Sequence, residues 1–134
     1  MQLERPSDIV QAWQEAVNDQ DVDRLLELSD DNIEIVGPRG SGYGHQLLRD
    51  WLARAGLQLQ TVRVFAGGNV VVVAQQGVWR AVATGERTGE RPVASRFRVA
   101  DRRVVQFARY DSLDTALADA GLNYADEIFP DPAG

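Results

Sequence analysis

The 134-residue sequence contains no cysteine and no lysine, and it has a single histidine. The lack of cysteine excludes disulfide bonds, thiolate nucleophiles and cysteine-ligated zinc, and one histidine excludes a multi-histidine metal centre. We therefore predict no metal site and no cofactor. Twenty acidic residues outnumber the 14 basic ones, which are all arginine, and the formal net charge is −6. A surface with a net negative charge repels nucleic acids and anionic membranes, so neither is predicted as a partner.

The sequence also lacks a long hydrophobic segment. No apolar run approaches the length that spans a bilayer, and the opening residues lack the basic and apolar regions of a signal peptide. We therefore expect a cytoplasmic protein. Hydrophobic residues make up 44% of the chain, which is enough for one core, and residues 1–134 are predicted to form a single domain.

Apolar spacing predicts three helices before residue 57. The first carries Trp13 on its apolar face and is predicted to be capped by Ser7. The second begins after Asp21, and the third ends at Gly56. A short strand near 33–36 and a glycine-rich loop from Gly37 to Gly44 are predicted between the second helix and the third.

From residue 57 the apolar pattern changes to the alternation of strands. A polar loop with the repeat TGERTGER, residues 84–91, and a tight turn at Asp101-Arg102 separate the later strands. A last helix is predicted after Asp111 or Ser112, with Gly121 as its C-cap. The four predicted strands lie near 57–65, 69–83, 92–100 and 103–110.

The order of these elements predicts an α+β fold in which a curved antiparallel sheet wraps around the N-terminal helices. The helices fill the concave face of such a sheet only in part, so an internal pocket is expected. The predicted core covers about residues 7–122. The tail, residues 123–134, is expected to be either loose or laid across the body through Ile128 and Phe129.

Three segments occur in the order and spacing of a known family: NDQDVDRLLELSDDNIEI, GYGHQLLRDWL and RRVVQFARYDSLDTALADAGL. Together they resemble the SnoaL-like branch of the nuclear transport factor 2-like superfamily. The resemblance implies a cystatin-like α+β cone with an internal pocket. Proteins of this kind include ketosteroid isomerases, polyketide cyclases, epoxide hydrolases and members that only bind, so the resemblance leaves the activity open.

Two of these activities lack part of their catalytic set. The resemblance places the isomerase base at Gly37, its tyrosine at Trp13 and its oxyanion aspartate near Ser95, and this argues against isomerase chemistry. Asp111 coincides with one aspartate of the epoxide hydrolases. The partner motif R-x-D is missing from the strand near 69–83, so Arg80 or Arg109 would have to substitute.

His45, Asp111 and Arg109 are the candidate catalytic residues for chemistry of the polyketide cyclase kind. His45 begins the third helix, where the helix dipole favours the neutral imidazole that accepts a proton. Alternation places Arg109 and Asp111 on the face of Phe107, where the two would enter the pocket as a pair. The alternatives are that His45 only bonds to the glycine-rich loop, that Asp111 caps a helix, and that Arg109 forms a surface ion pair.

A small, mainly apolar, ring-containing molecule is the predicted ligand, and the aromatic residues also have an alternative role in the core. A second hypothesis is a homodimer that pairs through the outer face of the sheet, offering Val104, Gln106, Tyr110 and Trp79. The predicted ligand-binding residues are Trp13, Tyr43, Trp51, Ser95, Phe97 and Phe107.

Overall fold

The computed structural model describes residues 5–37 and 40–129, and these residues form four α-helices and seven β-strands. The elements are α1 (Pro6–Asn18), α2 (Val22–Glu27), β1 (Ser29–Gly37), β2 (Gly40–Tyr43), α3 (His45–Ala55), β3 (Leu57–Gly67), β4 (Val70–Arg80), β5 (Arg87–Ala100), β6 (Arg103–Tyr110), α4 (Leu113–Ala120) and β7 (Glu127–Phe129), with a 3₁₀ turn at Tyr124–Asp126 before β7. The predicted α+β class is confirmed.

The seven strands form one sheet in the order β2-β1-β6-β5-β4-β3-β7. Five of its six pairs are antiparallel, and β1 runs parallel to β6. Register shifts interrupt several pairs, including one that leaves Val62 as an extra residue in β3 and one that leaves Val105 as an extra residue in β6. Bulges of this kind bend strands and increase their twist, which helps the sheet to curve.

The core has two parts, one on each face of the sheet. On the concave face, α1 and α3 pack against the strands, and Trp13 lies at the centre with an exposure of 0%. On the opposite, outer face, α4 covers a smaller cluster. The members of this outer cluster are Phe65, Val72, Ala94, Ala116 and Leu117.

The helix ends follow most of the predicted signals. The Asp21 carboxylate accepts a hydrogen bond from the Arg24 backbone N–H, and Gly56 and Gly121 adopt the left-handed conformation with φ of 53° and 72°. The prediction of Ser7 as the first cap is wrong: α1 begins at Pro6, whose fixed φ suits the first helical position, and Arg5 precedes it.

Several strand limits differ from the predicted ones, and β4 ends at Arg80 and not near residue 83. The predicted glycine-rich loop contains the edge strand β2, and β1 begins at Ser29 rather than near residue 33. β5 begins at Arg87, so five of the eight residues of the predicted polar loop belong to a strand, because backbone pairing with β4 holds polar residues as well as apolar ones. Asp101 and Arg102 both have positive φ, which confirms the predicted tight turn.

The described part of the tail lies on the edge of the sheet. β7 pairs with β3, and Arg63 donates hydrogen bonds of 2.7 and 2.8 Å to the carboxylate of Glu127. The Arg63 guanidinium also lies 5.1 Å from the ring centroid of Phe65 and 5.2 Å from that of Tyr124. The part of the tail beyond Phe129 lies outside the described residues.

Candidate functional site

Four aromatic rings fill the interior of the cone. The ring centroid of Trp13 lies 5.0 Å from that of Phe107, 5.3 Å from that of Phe97 and 6.1 Å from that of Trp51. Trp13 and Phe97 are both 0% exposed, so they lie behind the cavity surface. Trp51 and Phe107 lie at the edge of this cluster and contribute to a cavity wall.

A chain of polar side chains crosses the same interior. Ser95 Oγ donates a 2.8 Å hydrogen bond to the Gln75 side-chain oxygen, the Gln75 amide donates to the side-chain oxygen of Gln14, and the Gln14 amide donates to Thr61 Oγ1 over 3.3 Å. Ser95, Gln75 and Gln14 are buried. Ser95 therefore belongs to a buried hydrogen-bond network. The glutamines within the apolar stretch VVVVAQQGVW were the sequence signal for this network.

A cavity of about 670 Å³ opens where β1 and β6 end beside α3. We call it the mouth cavity. Its apolar wall includes Trp51 and Phe107, and its polar groups include Arg91, Arg109 and Asp111. This volume falls within the range of small-molecule sites, which combine an apolar lining with a few polar groups. The remaining residues of its lining are Ile35, Val36, Gly37, Ala108, Tyr110 and Asp119.

Trp79 joins the two arginines of the mouth cavity. The guanidinium carbon of Arg91 lies 5.4 Å from the Trp79 ring centroid, and that of Arg109 lies 5.6 Å from it. Arg91 Nη2 also lies 3.5 Å from Oδ1 of Asp111. Sequence reasoning missed Arg91 as a site residue because it fell in the predicted loop. The alternation of Arg91 with Val93 and Ser95 was the signal that would have placed it on the concave face.

Asp111 and Arg109 both line the mouth cavity, but they do not form the predicted ion pair with each other. The partner of Asp111 is Arg91, and the Asp111 side chain is 85% exposed. The cap of α4 comes from Ser112, whose hydroxyl accepts a hydrogen bond from the Thr115 N–H. The carboxylate of Asp111 therefore stays at the cavity and does not serve the helix.

His45 lies at the start of α3 and is not part of the mouth cavity lining. Its Nε2 lies 3.1 Å from the backbone oxygen of Ser29 and 3.8 Å from Oδ1 of Asp31. A carbonyl oxygen only accepts hydrogen bonds, so Nε2 carries a proton in this arrangement. Tyr43, at the end of β2, is 58% exposed and is also absent from the mouth cavity lining.

The outer face of β6 differs from the predicted association surface. Val104 belongs to the inner core with 0% exposure, because the extra residue Val105 shifts the alternation of β6. Tyr110 packs beside α4, and burial is the main cause that raises the pKa of its hydroxyl. The predicted face is therefore wrong for Val104, whereas Tyr110 lies on the outer face as predicted and is partly covered by α4. Trp79 lies with the arginines of the mouth cavity.

A polar network occupies the remainder of this face. Arg96 donates a 2.8 Å hydrogen bond to the Gln106 side-chain oxygen, and the Gln106 amide donates one of 2.8 Å to Glu34. Hydrogen bonds from the Ser41 hydroxyl and from Gln106 lower the pKa of Glu34. Glu34 is thus held by hydrogen-bond partners on the outer face, and it is absent from the mouth cavity lining.

A second cavity, of about 600 Å³, lies between the start of α1 and strands β3 and β7. It contains none of the candidate residues predicted from the sequence. Within residues 5–37 and 40–129, no group of three or more histidine, aspartate or glutamate side chains is arranged to hold a metal ion. No helix in that part of the chain is long and apolar enough to cross a membrane.

Comparison with protein families identifies the fold. Residues 10–107 match the family described as the SnoaL-like domain, and the chain belongs to this family. A search of curated protein sequences gave no match.

Solved structures show the same architecture at low sequence identity. A proposed polyketide cyclase from Xanthomonas campestris pv. campestris is 23% identical, with a TM-score of 0.66 over 86% of this chain and 96% of the other. The epoxide hydrolase/cyclase-like enzyme SalBIII is 19% identical, with a TM-score of 0.70 over 81% and 92%. An NTF2-like protein of unknown function from Cytophaga hutchinsonii ATCC 33406 is 14% identical, with a TM-score of 0.68 over 86% and 97%. These similarities establish the cone fold.

Proposed function

We propose that this SnoaL-like protein binds a small, mainly apolar, ring-containing molecule in the mouth cavity. The observation that carries the proposal is the cavity itself, in which Trp51 and Phe107 line a space of about 670 Å³ beside four charged side chains. Offset or edge-on contact with such rings favours planar ligands. The interior behind them is closed by Trp13 and Phe97, so the ligand sits at the mouth of the cone and not at its centre.

Blocking the cavity tests this proposal. A Cβ at Gly37 would meet only the backbone oxygen of Gly40 at 3.6 Å, so Gly37→Phe adds a ring to the cavity wall without a backbone clash. The exposed Gln60 lies on a strand away from the cavity, and Gln60→Phe is the matched control. We expect 2-naphthamide, a neutral ring probe, to bind the wild type and Gln60→Phe alike in an NMR titration. Gly37→Phe should weaken binding about tenfold, and unchanged affinity in this variant would place the ligand elsewhere.

The second candidate function is acid–base catalysis of the polyketide cyclase kind, with Asp111 moving the proton. Its support is the position of the carboxylate on the cavity lining, with Arg91 Nη2 3.5 Å away. In a turnover screen with ring-forming polyketone substrates, Asp111→Asn should abolish activity and His45→Gln should retain it. Retained turnover in Asp111→Asn would remove Asp111 from the mechanism.

The epoxide hydrolase alternative has less support, because a water-activating pair of aspartates needs an arginine between them. Asp119 lies on the same cavity lining, where burial and this carboxylate both raise the pKa of the Tyr110 hydroxyl. Arg80 lines a different cavity, and Arg109 stacks on Trp79. Among the described residues, neither arginine bridges two carboxylates.

Self-association through the outer face of the sheet is a third candidate function. The side chain of the bulge residue Val62 is exposed there, in a hollow shared with Ala74, Pro92 and Leu113. We expect a dimer in analytical ultracentrifugation and a monomer for Val62→Glu. A wild-type monomer at high concentration would contradict this candidate. The cytoplasmic location and the single-domain organisation stay predictions from the sequence.

A further inference from the structure

Two arginines reach the mouth cavity from neighbouring strands. Arg109 pairs with Ser95 and follows Phe107 by two residues, so it shares the concave face with the Phe107 ring. Arg91 pairs with Gly77 on the next strand and precedes Val93 by two residues, which places it on the same face. Two guanidinium groups therefore stand beside an aromatic wall.

Trp79 restricts the freedom of both guanidinium groups. A Cβ at Gly77 would lie 2.9 Å from the Trp79 ring, so the ring is packed onto the backbone of its own strand. Both guanidinium carbons lie within 6 Å of this ring, the range of cation–π stacking. Stacked arginines lose less conformational entropy when they bind an anion, because they are already ordered.

The lining of the mouth cavity holds two arginines and two aspartates, but among the described residues only one of these arginines has a carboxylate within 4 Å. Asp111 is the carboxylate nearest to Arg91, at 3.5 Å, while Arg109 has no carboxylate within 4 Å among residues 5–37 and 40–129. Asp119 also lines the cavity, beside Tyr110, and it forms no ion pair with Arg109 among the described residues. On a chain with a net charge of −6, Arg109 thus provides a local cation that is free to pair with a ligand.

We propose that the mouth cavity selects ring-containing carboxylates. Arg109 binds the carboxylate, Arg91 adds to the positive field, and Trp51 and Phe107 contact the ring. This inference rests on the proposed function and specifies the class of its ligand. A planar guanidinium matches a carboxylate with two parallel hydrogen bonds, which a neutral amide or alcohol cannot reproduce.

A pair of probes with the same ring tests the inference. 2-Naphthoate carries a carboxylate, and 2-naphthamide replaces it with a neutral amide of similar shape. In NMR titrations at low salt, the wild type should bind the naphthoate about tenfold more tightly. Arg109→Gln should lose most of the preference for the naphthoate, and Arg109→Lys should retain part of it because it keeps the charge.

Arg98→Gln is the matched control, because Arg98 is exposed on β5 and is absent from the mouth cavity lining. It should retain the full preference for the naphthoate. Equal affinities of the wild type for the two probes, or a full preference in Arg109→Gln, would overturn the inference. Binding of the amide without a preference for the acid would leave the proposed function standing, whereas failure of both probes to bind would overturn the proposed function as well.

Discussion

The indole N–H of Trp13 donates a 2.9 Å hydrogen bond to Oγ of Ser29, and both residues are 0% exposed. Ser29 Oγ in turn donates a 2.7 Å bond to the backbone oxygen of Leu25. This arrangement joins α1 to the start of β1 and, through Leu25, to α2, and it gives the indole N–H of Trp13 a hydrogen-bond partner in the core. The indole of Trp13 is thus engaged within the protein and is not presented to a ligand.

Removal of the Ser29 hydroxyl should destabilise the fold. Ser29→Ala leaves the buried indole N–H without a partner, which costs about 1–3 kcal/mol in the free energy of unfolding. In a Trp13→Phe background the same substitution should cost less, because no indole donor remains. Urea denaturation of the wild type, the two single variants and the double variant gives the coupling free energy between Trp13 and Ser29. Strictly additive losses would contradict the role assigned to this hydrogen bond.

Acid should release β7 from the sheet edge. The hydrogen bonds from Arg63 lower the pKa of Glu127, so the unfolded chain takes up this proton more readily than the folded protein does. The contribution of the pair is therefore complete above the ordinary glutamate pKa of about 4.3 and is lost as the pH falls through the lowered value. Hydrogen exchange of the β7 amides, measured from neutral to acidic pH, should show this loss. In Glu127→Gln the amides should exchange fast at every pH; wild-type protection in this variant would contradict the prediction.

Substitution by alanine should lower the free energy of unfolding by different amounts at two glycines with similar backbone angles. Gly56 and Gly68 have φ of 53° and 58°, but a Cβ at Gly56 would lie 2.1 Å from the backbone oxygen of Arg80, whereas a Cβ at Gly68 has open space. Gly68→Ala should cost about 1–2 kcal/mol from the left-handed conformation alone. Gly56→Ala should cost about 1–3 kcal/mol more, because the neighbouring backbone must move. Equal shifts of the urea midpoint would contradict the tight packing of Gly56 against β4.

Local sequence signals predicted the local elements well. Three of these elements depend on residues close together in the sequence: the apolar stripe around Trp13, the left-handed glycines at 56 and 121, and the turn at Asp101-Arg102. The limits of β5 depend instead on pairing with β4. A polar repeat can pair through its backbone as well as an apolar one, so the composition of residues 84–91 concealed where that strand begins.

The candidate site depended on relationships that a single sequence does not contain. Alternation alone put Val104 on the outer face, and the extra residue Val105 moved it into the core. Arg91 and Arg109 meet on Trp79 only because three strands are neighbours in the sheet. Phe107, Arg109 and Asp111 all line the mouth cavity, and they lie in one short segment of chain where alternation can be read from the sequence.

The indole N–H signals of the three tryptophans test the central claim most directly. Trp51 lines the mouth cavity, Trp79 supports its arginines, and Trp13 is buried and hydrogen-bonded to Ser29. In a ¹H–¹⁵N NMR titration with 2-naphthoate, we expect saturating shifts of the Trp51 and Trp79 signals and little change for Trp13. Saturable binding that leaves both the Trp51 and Trp79 signals unmoved would show that the ligand does not occupy the mouth cavity.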